Sequence, residues 1–265
     1  MRVANAFRAH AWQVALILLA LALVVLVRVV DSGRLNALNA PTQGASTSAQ
    51  IAGMQVPYPT SFNLDEIAPY DGSPAVVVND NVPLFADADF ENLPNEAFSP
   101  FDSLGRCGPA YALVGREYMP TERRGSIGTI KPSGWQTARY EWIDGTYLFN
   151  RCHLIAYQMT GQNDNELNLI TGTRSLNIVA MQPYEDQVAS YARRTGNHVM
   201  YRVTPVFEGN NLVASGVLME ARSVEDDGAG VQFCVWCYNV EPGVIIDYTT
   251  GDNRADPNFK HPNSG

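Results

Sequence analysis

Residues 35–105 contain nine acidic side chains and neither a lysine nor an arginine, and over the whole chain 27 acids against 18 bases leave a net charge of −9. That balance excludes the broad basic surface with which a tight nucleic-acid binder neutralises phosphates. Cys234 and Cys237 have no second Cys-x-x-Cys to join them, so a four-thiolate zinc site is excluded. The absence of an internal repeat removes solenoids and propellers, and the absence of a recognisable sequence-reading module removes base-specific readout. At 46% apolar and 17% charged residues, the composition also excludes a disordered chain.

Basic charge is concentrated instead. Residues 106–202 hold eleven bases against eight acids, whereas residues 203–265 hold three against nine, so one globular segment alone is net positive. Local field governs the approach of a phosphate, and Arg123, Arg124, Arg174, Arg193 and Arg194 are the candidates for backbone contacts. For any one of them alone, a solvated position is the commoner role.

Residues 11–27 form an uncharged run bounded by Arg8 and Arg28. As a helix it would reach ~26 Å against a hydrocarbon core of ~30 Å, and Val29 and Val30, with Arg28 snorkelling, make up the difference. Arg2 and Arg8 keep the leading end inside. The expected organisation is a cytoplasmic N-terminus (1–10), a transmembrane signal-anchor (11–30), an extracellular linker rich in small and polar residues (31–66), a catalytic domain (67–252) and a polar tail (253–265). This places a single-pass protein in the cell membrane with its domain outside. The rival is a secretory signal peptide cut after Ser32, which would release the domain.

The domain is expected to be α+β, with an antiparallel sheet built from strands at 199–206, 212–223 and 231–238. Turn-rich stretches at 208–211 and 225–228 join them. Four cysteines in an exported chain allow three full pairings. Cys234 and Cys237, three apart on a strand, point to opposite faces and read as buried free thiols. Cys107 with Cys152 is the candidate bridge.

The densest chemistry lies in Asn150-Arg151-Cys152-His153-Leu154, followed by Asn168 to Arg174 and then Asn177. A strand at 146–149 delivers Arg151 and His153, and a second at 167–170 precedes a helix. A neutral imidazole at a strand end can take a proton from water, which makes His153 the candidate general base. Asn177 offers an amide oxygen of the kind magnesium accepts while keeping most of its water. Glu185, eight residues on, lies near the same helical face and can orient those waters, although Pro183 makes the phasing approximate. Each of these residues taken singly is more often structural than functional. Their joint occurrence decides the reading.

The constellation resembles the DNA/RNA non-specific endonucleases of the ββα-metal (His-Me finger) type, in particular the DNA-entry nucleases and secreted bacterial DNases. The blocks that carry the resemblance are PFDSLGRCG (100–108), KPSGW (131–135), NRCHLIAYQMTG (150–161), NLITGTR (168–174) and HVMYRVTPVFEG (198–209). It implies an antiparallel sheet supporting the ββα motif, with His153 as base, Arg151 near the scissile phosphate, Asn177 as the protein's magnesium ligand, Asn168 as support and Glu185 as partner of the metal's waters. Magnesium is the implied cofactor, with manganese as substitute. DNA is the implied substrate and RNA a further one, with 5′-phosphate and 3′-hydroxyl ends as products. The family's Asp-Arg-Gly-His signature falls here on Asn150, Arg151, Cys152 and His153, so an acid and a glycine are replaced. Those departures keep two rivals in view, a non-catalytic DNA receptor for uptake and a nuclease toxin.

Overall fold

The computed structural model describes residues 54–260. The chain runs through β1 (Ala75–Val77), β2 (Glu96–Phe98), β3 (Ala110–Val114), β4 (Phe149–His153), the single-turn α1 (Tyr157–Thr160) and β5 (Leu169–Thr173). A π-helical segment, Ser175–Met181, then continues into α2 (Gln182–Thr195), followed by β6 (Val199–Val206), β7 (Gly216–Ser223), β8 (Gln232–Tyr238), β9 (Val244–Ile246) and β10 (Asn253–Ala255).

Six strands make one antiparallel sheet in the order β1-β8-β7-β6-β3-β2. Every residue of β6 is buried, because both faces of the sheet are covered. On one face Val199, Tyr201, Val203, Val217, Met219 and Val235 pack against Val188, Ala189 and Ala192 of α2 and against Leu154 and Ile170 of the β4–β5 unit. On the other, Met200 meets Val56, Phe85 and Phe90, while Leu218 and Trp236 form a neighbouring cluster with Phe62 and Leu64. The period-two alternation in β6 to β8 thus serves two cores.

The N-terminal part is fixed to this second face by a buried ion pair. Arg202 Nε and Nη2 donate to Glu220 at 2.7 and 3.0 Å, Arg202 Nη1 donates to the Pro57 carbonyl, and Glu220 also accepts from the Leu84 amide. A buried charge pair persists only when its remaining donors and acceptors are used, and here they anchor passing backbone. Compact structure therefore begins before Ile67: Val56 is fully buried, and the linker expected over 31–66 overlaps packed chain from residue 54 onward. The polar tail expected from 253 is likewise shorter, since Asn253–Ala255 pairs with β9 and Phe259 packs on Trp142. Among the described residues no helix is long and apolar enough to cross a membrane. The expected span at 11–30 lies outside them.

The strand–loop–strand–helix order holds, with shifted bounds. The first strand is β4 itself, running through His153 rather than ending at 149, because Thr146 adopts a left-handed φ of 66° that interrupts extension. A 3-10 turn at Glu166–Asn168 delays the second strand to Leu169. Strand β7 starts at Gly216, later than expected. In the helix, Pro183 has no N–H to give the Val179 carbonyl, so α register fails there and the wider π turns precede it.

All four cysteines are free and buried, which corrects the Cys107–Cys152 bridge. Cys107 Sγ faces the Leu169 carbonyl at 3.2 Å, whereas Cys152 Sγ lies 3.4 Å from Met181 Sδ. Cys234 and Cys237 sit in different clusters on opposite sheet faces, as their spacing implies.

Candidate active site

The β4–β5 hairpin and the helix that follows enclose two adjoining clefts. One, about 390 Å³, is lined by His153, Asn177, Glu185, Gln182, Gln158 and Asp186, among others. Its neighbour, about 560 Å³, carries Arg151, Arg174, Asn150, Trp135 and Tyr147. Asn177, Ile178 and Arg124 line both. Of the sequence candidates, His153, Asn177 and Glu185 share the first cleft and Arg151 and Arg174 the second, while Arg123, Arg193 and Arg194 line neither.

His153 is buried, yet its two ring nitrogens are distinguished by their partners. Nε2 lies 2.9 Å from the Asn163 carbonyl and Nδ1 lies 3.0 Å from Nη2 of Arg124. A carbonyl can only accept and a guanidinium can only donate, so the proton sits on Nε2 and Nδ1 carries the lone pair. Burial pushes the imidazole's pKa down to about 4, helped by the Arg124 charge and opposed by the Asn163 bond, so it is neutral at neutral pH. The lone pair that can take up a proton is therefore the one on Nδ1, which here faces the Arg124 guanidinium.

The orientation of Asn177 follows from the same donor logic. Arg174 Nη1 donates to Asn150 Oδ1 at 3.3 Å, which fixes the side-chain oxygen of Asn150 on that side. Asn177 Nδ2 lies 3.5 Å from the same oxygen. With its NH₂ turned to Asn150, Asn177 has its own Oδ1 left for the cleft. Asn150 therefore does by hydrogen bonding part of what a carboxylate at this position would do by charge. Glu185 is 9% exposed, and burial, with Asp186 adding repulsion, raises its pKa to about 8.

These oxygens suit a hard divalent cation. Among the described residues no group of three His, Cys, Asp or Glu side chains could close a cage around a metal. One amide oxygen with a nearby carboxylate fits an ion that keeps most of its own water, as magnesium does. The thiols do not compete, since burial raises the pKa of Cys152 well above its ordinary value.

Two candidates also carry structural work. Asn168 reaches neither cleft: fully buried, it accepts from the Ile155 amide at 2.8 Å and donates to the Ile155 carbonyl at 2.9 Å, bracing the chain just after His153. Arg151 gives Nε and Nη2 to the carbonyls of Ile130 and Gly128, both at 2.5 Å, and lies over the Trp135 ring at 4.1 Å. It ties down the loop ahead of β4 as well as lining the cleft. Cys152 fits because its partner strand offers Gly172, where a Cβ would come within 2.7 Å of Cys152 Cβ. A glycine at one position of the pair makes room for the side chain at the other.

Sequence reasoning gave no role to Trp135, although KPSGW was among the resembling blocks, nor to Asn163, which acts through a backbone carbonyl and leaves no side-chain signal.

Residues 91–225 match the profile of a family described as DNA/RNA non-specific endonuclease. The fold is similar to the crystal structure of NucA from Streptococcus agalactiae with magnesium ion bound, at 23% identity over 69% of this chain and 89% of that one, with a TM-score of 0.60. NucA with no metal bound matches at 24% identity over 69% and 88%, again with a TM-score of 0.60. The Sda1 nuclease with bound zinc ion matches at 27% identity over 61% and 82%, with a TM-score of 0.53. No curated protein sequence matches the chain.

Proposed function

Because this chain belongs to the DNA/RNA non-specific endonuclease family, we propose that it is a divalent-metal-dependent endonuclease, cutting phosphodiester bonds of DNA, and of RNA, with little sequence preference. The observation that carries this reading is the lone pair of His153 Nδ1 at a cleft shared with Asn177 and Glu185. His153 takes the proton of the attacking water at Nδ1 while Nε2–H stays bonded to Asn163, which holds the ring in position as its charge changes. Asn177 Oδ1 would hold the ion and Glu185 its waters, and the ion would supply stabilisation of charge developing on the phosphate and leaving oxygen. The magnesium bound in NucA and the zinc bound in Sda1 are in keeping with dependence on a divalent ion. Arg174 and Arg151 supply positive potential beside the phosphate. Water adds to phosphorus as the bond to the 3′ oxygen breaks and that oxygen takes a proton from solvent water, giving 5′-phosphate and 3′-hydroxyl ends as the family resemblance implies.

The test is digestion of supercoiled plasmid, single-stranded DNA and RNA by the full-length protein with magnesium, manganese or EDTA. Cleavage of DNA that EDTA abolishes supports the reading. DNA binding without cleavage in either metal would favour the receptor instead.

The uncharged run at 11–27 supports a cell-membrane anchor with the domain outside. Protease added to intact cells should then digest the domain, and the full-length protein should fractionate with membranes. Recovery of the domain in the medium would favour a cleaved signal peptide.

A further inference from the structure

One side chain stands between the two clefts. Arg124 lines the wall of both, and its Nη2 sits 3.0 Å from Nδ1 of His153. The other ring nitrogen is already used by Asn163. A guanidinium has only protons to give, so this contact occupies the very lone pair that would receive the proton of the attacking water. In this arrangement the base is covered.

The cover is held weakly and the backbone beneath it firmly. Arg124 is exposed overall; among the described residues the neutral imidazole is its one hydrogen-bonding partner, it forms no ion pair, and its charge acts on the Glu185 carboxyl only at longer range. A phosphodiester would bind the same guanidinium by charge-assisted, bidentate hydrogen bonds, which are stronger than a bond to a neutral ring. On one side of Arg124 the Glu122 carbonyl accepts from the Tyr157 hydroxyl at 2.9 Å. On the other, Gly125 approaches Asn163 so closely that a Cβ would lie 2.9 Å from its amide nitrogen, and Arg151 holds the carbonyls of Gly128 and Ile130. The long stem can therefore swing from the base toward Arg151 and Arg174 without moving the chain that carries it.

We propose that Arg124 is a substrate-displaced cap on the general base: its guanidinium blocks Nδ1 of His153 at rest, and a phosphodiester entering the arginine-rich cleft draws it away. The base is then uncovered when the phosphate is in place. Resting on the nuclease reading, this makes Arg124 a positioning residue that couples phosphate binding to base availability, beyond the simple backbone contact expected of it.

The experiment follows acylation of His153 by diethyl pyrocarbonate, read by peptide mass spectrometry, in full-length protein kept metal-free with a chelator. Inorganic phosphate is the probe, with chloride at matched ionic strength as control and His198 as internal reference. Labelling of the wild type should be slow and rise severalfold with phosphate. Arg124→Ala should label about fivefold faster or more without phosphate, in proportion to the uncovered fraction, and should not respond to phosphate. Arg124→Gln, checked by circular dichroism, replaces it if the alanine variant unfolds. Simple shielding would change the first rate but not create the phosphate response. Wild-type labelling that phosphate leaves unchanged or slows would overturn the proposal, as would either variant labelling at the wild-type rate. No cleavage is involved, so failure of the nuclease reading would appear separately, in plasmid digestion.

Discussion

The side-chain oxygen of Asn150 faces the amide nitrogen of Asn177 across 3.5 Å, and through that contact the residue replacing the family's acid decides which atom Asn177 turns to the cleft. Asn150→Asp keeps the acceptor and should keep activity. Asn150→Leu removes it, frees the Asn177 amide to rotate, and should weaken magnesium affinity about 10- to 100-fold, the range found when a partner of a metal ligand is lost. Magnesium titration of plasmid cleavage measures both. Equal magnesium dependence in Asn150→Leu and wild type would show that the contact orients nothing.

At the proposed metal site, Glu185 should make binding depend on pH. Its pKa in the fold, about 8, lies above the ordinary 4.5, so between these values the metal-free native state holds a proton that the unfolded state lacks. Its contribution to metal-free stability is accordingly lost as pH rises through that window and is level above it. A magnesium ion favours the carboxylate, so binding near pH 7 should release a proton, and affinity should climb until about pH 8. Isothermal titration calorimetry in two buffers of different ionisation enthalpy reads the release directly. Glu185→Gln should abolish it; a wild type that releases no proton would remove Glu185 from the metal's surroundings.

Asn168 should behave as a brace. Asn168→Ala leaves the amide and carbonyl of Ile155 without their partner, at a cost of about 1–3 kcal/mol for each group left unpaired. Thermal unfolding should shift down, and activity lost at the assay temperature should return on cooling. A variant of unchanged melting temperature that stays inactive when cold would instead give Asn168 a direct part in the chemistry.

Much of this was legible in the sequence where the signal was local. Strand β6 was readable to both ends because Val199 to Val206 alternates between two cores, and the free thiols of Cys234 and Cys237 followed from strand periodicity. His153, Asn177 and Glu185 share a cleft as the resemblance implied. What was not legible depended on distant chain. The packed N-terminal stretch is held by Arg202 reaching back to Pro57, a contact across 145 positions that no local composition announces. Arg151 carries no mark in its neighbours of the loop carbonyls it binds. The covering of His153 by Arg124 joins residues 29 apart through a ring nitrogen whose proton is placed by the Asn163 backbone.

The most direct test of the central claim is the rate of magnesium-dependent plasmid nicking by His153→Ala beside the wild type, with circular dichroism to establish that both are folded. Removing the base should cost about 10²- to 10⁴-fold, and imidazole in the buffer should restore part of the loss. A folded His153→Ala protein that nicks at a near-wild-type rate would contradict the assignment of the base.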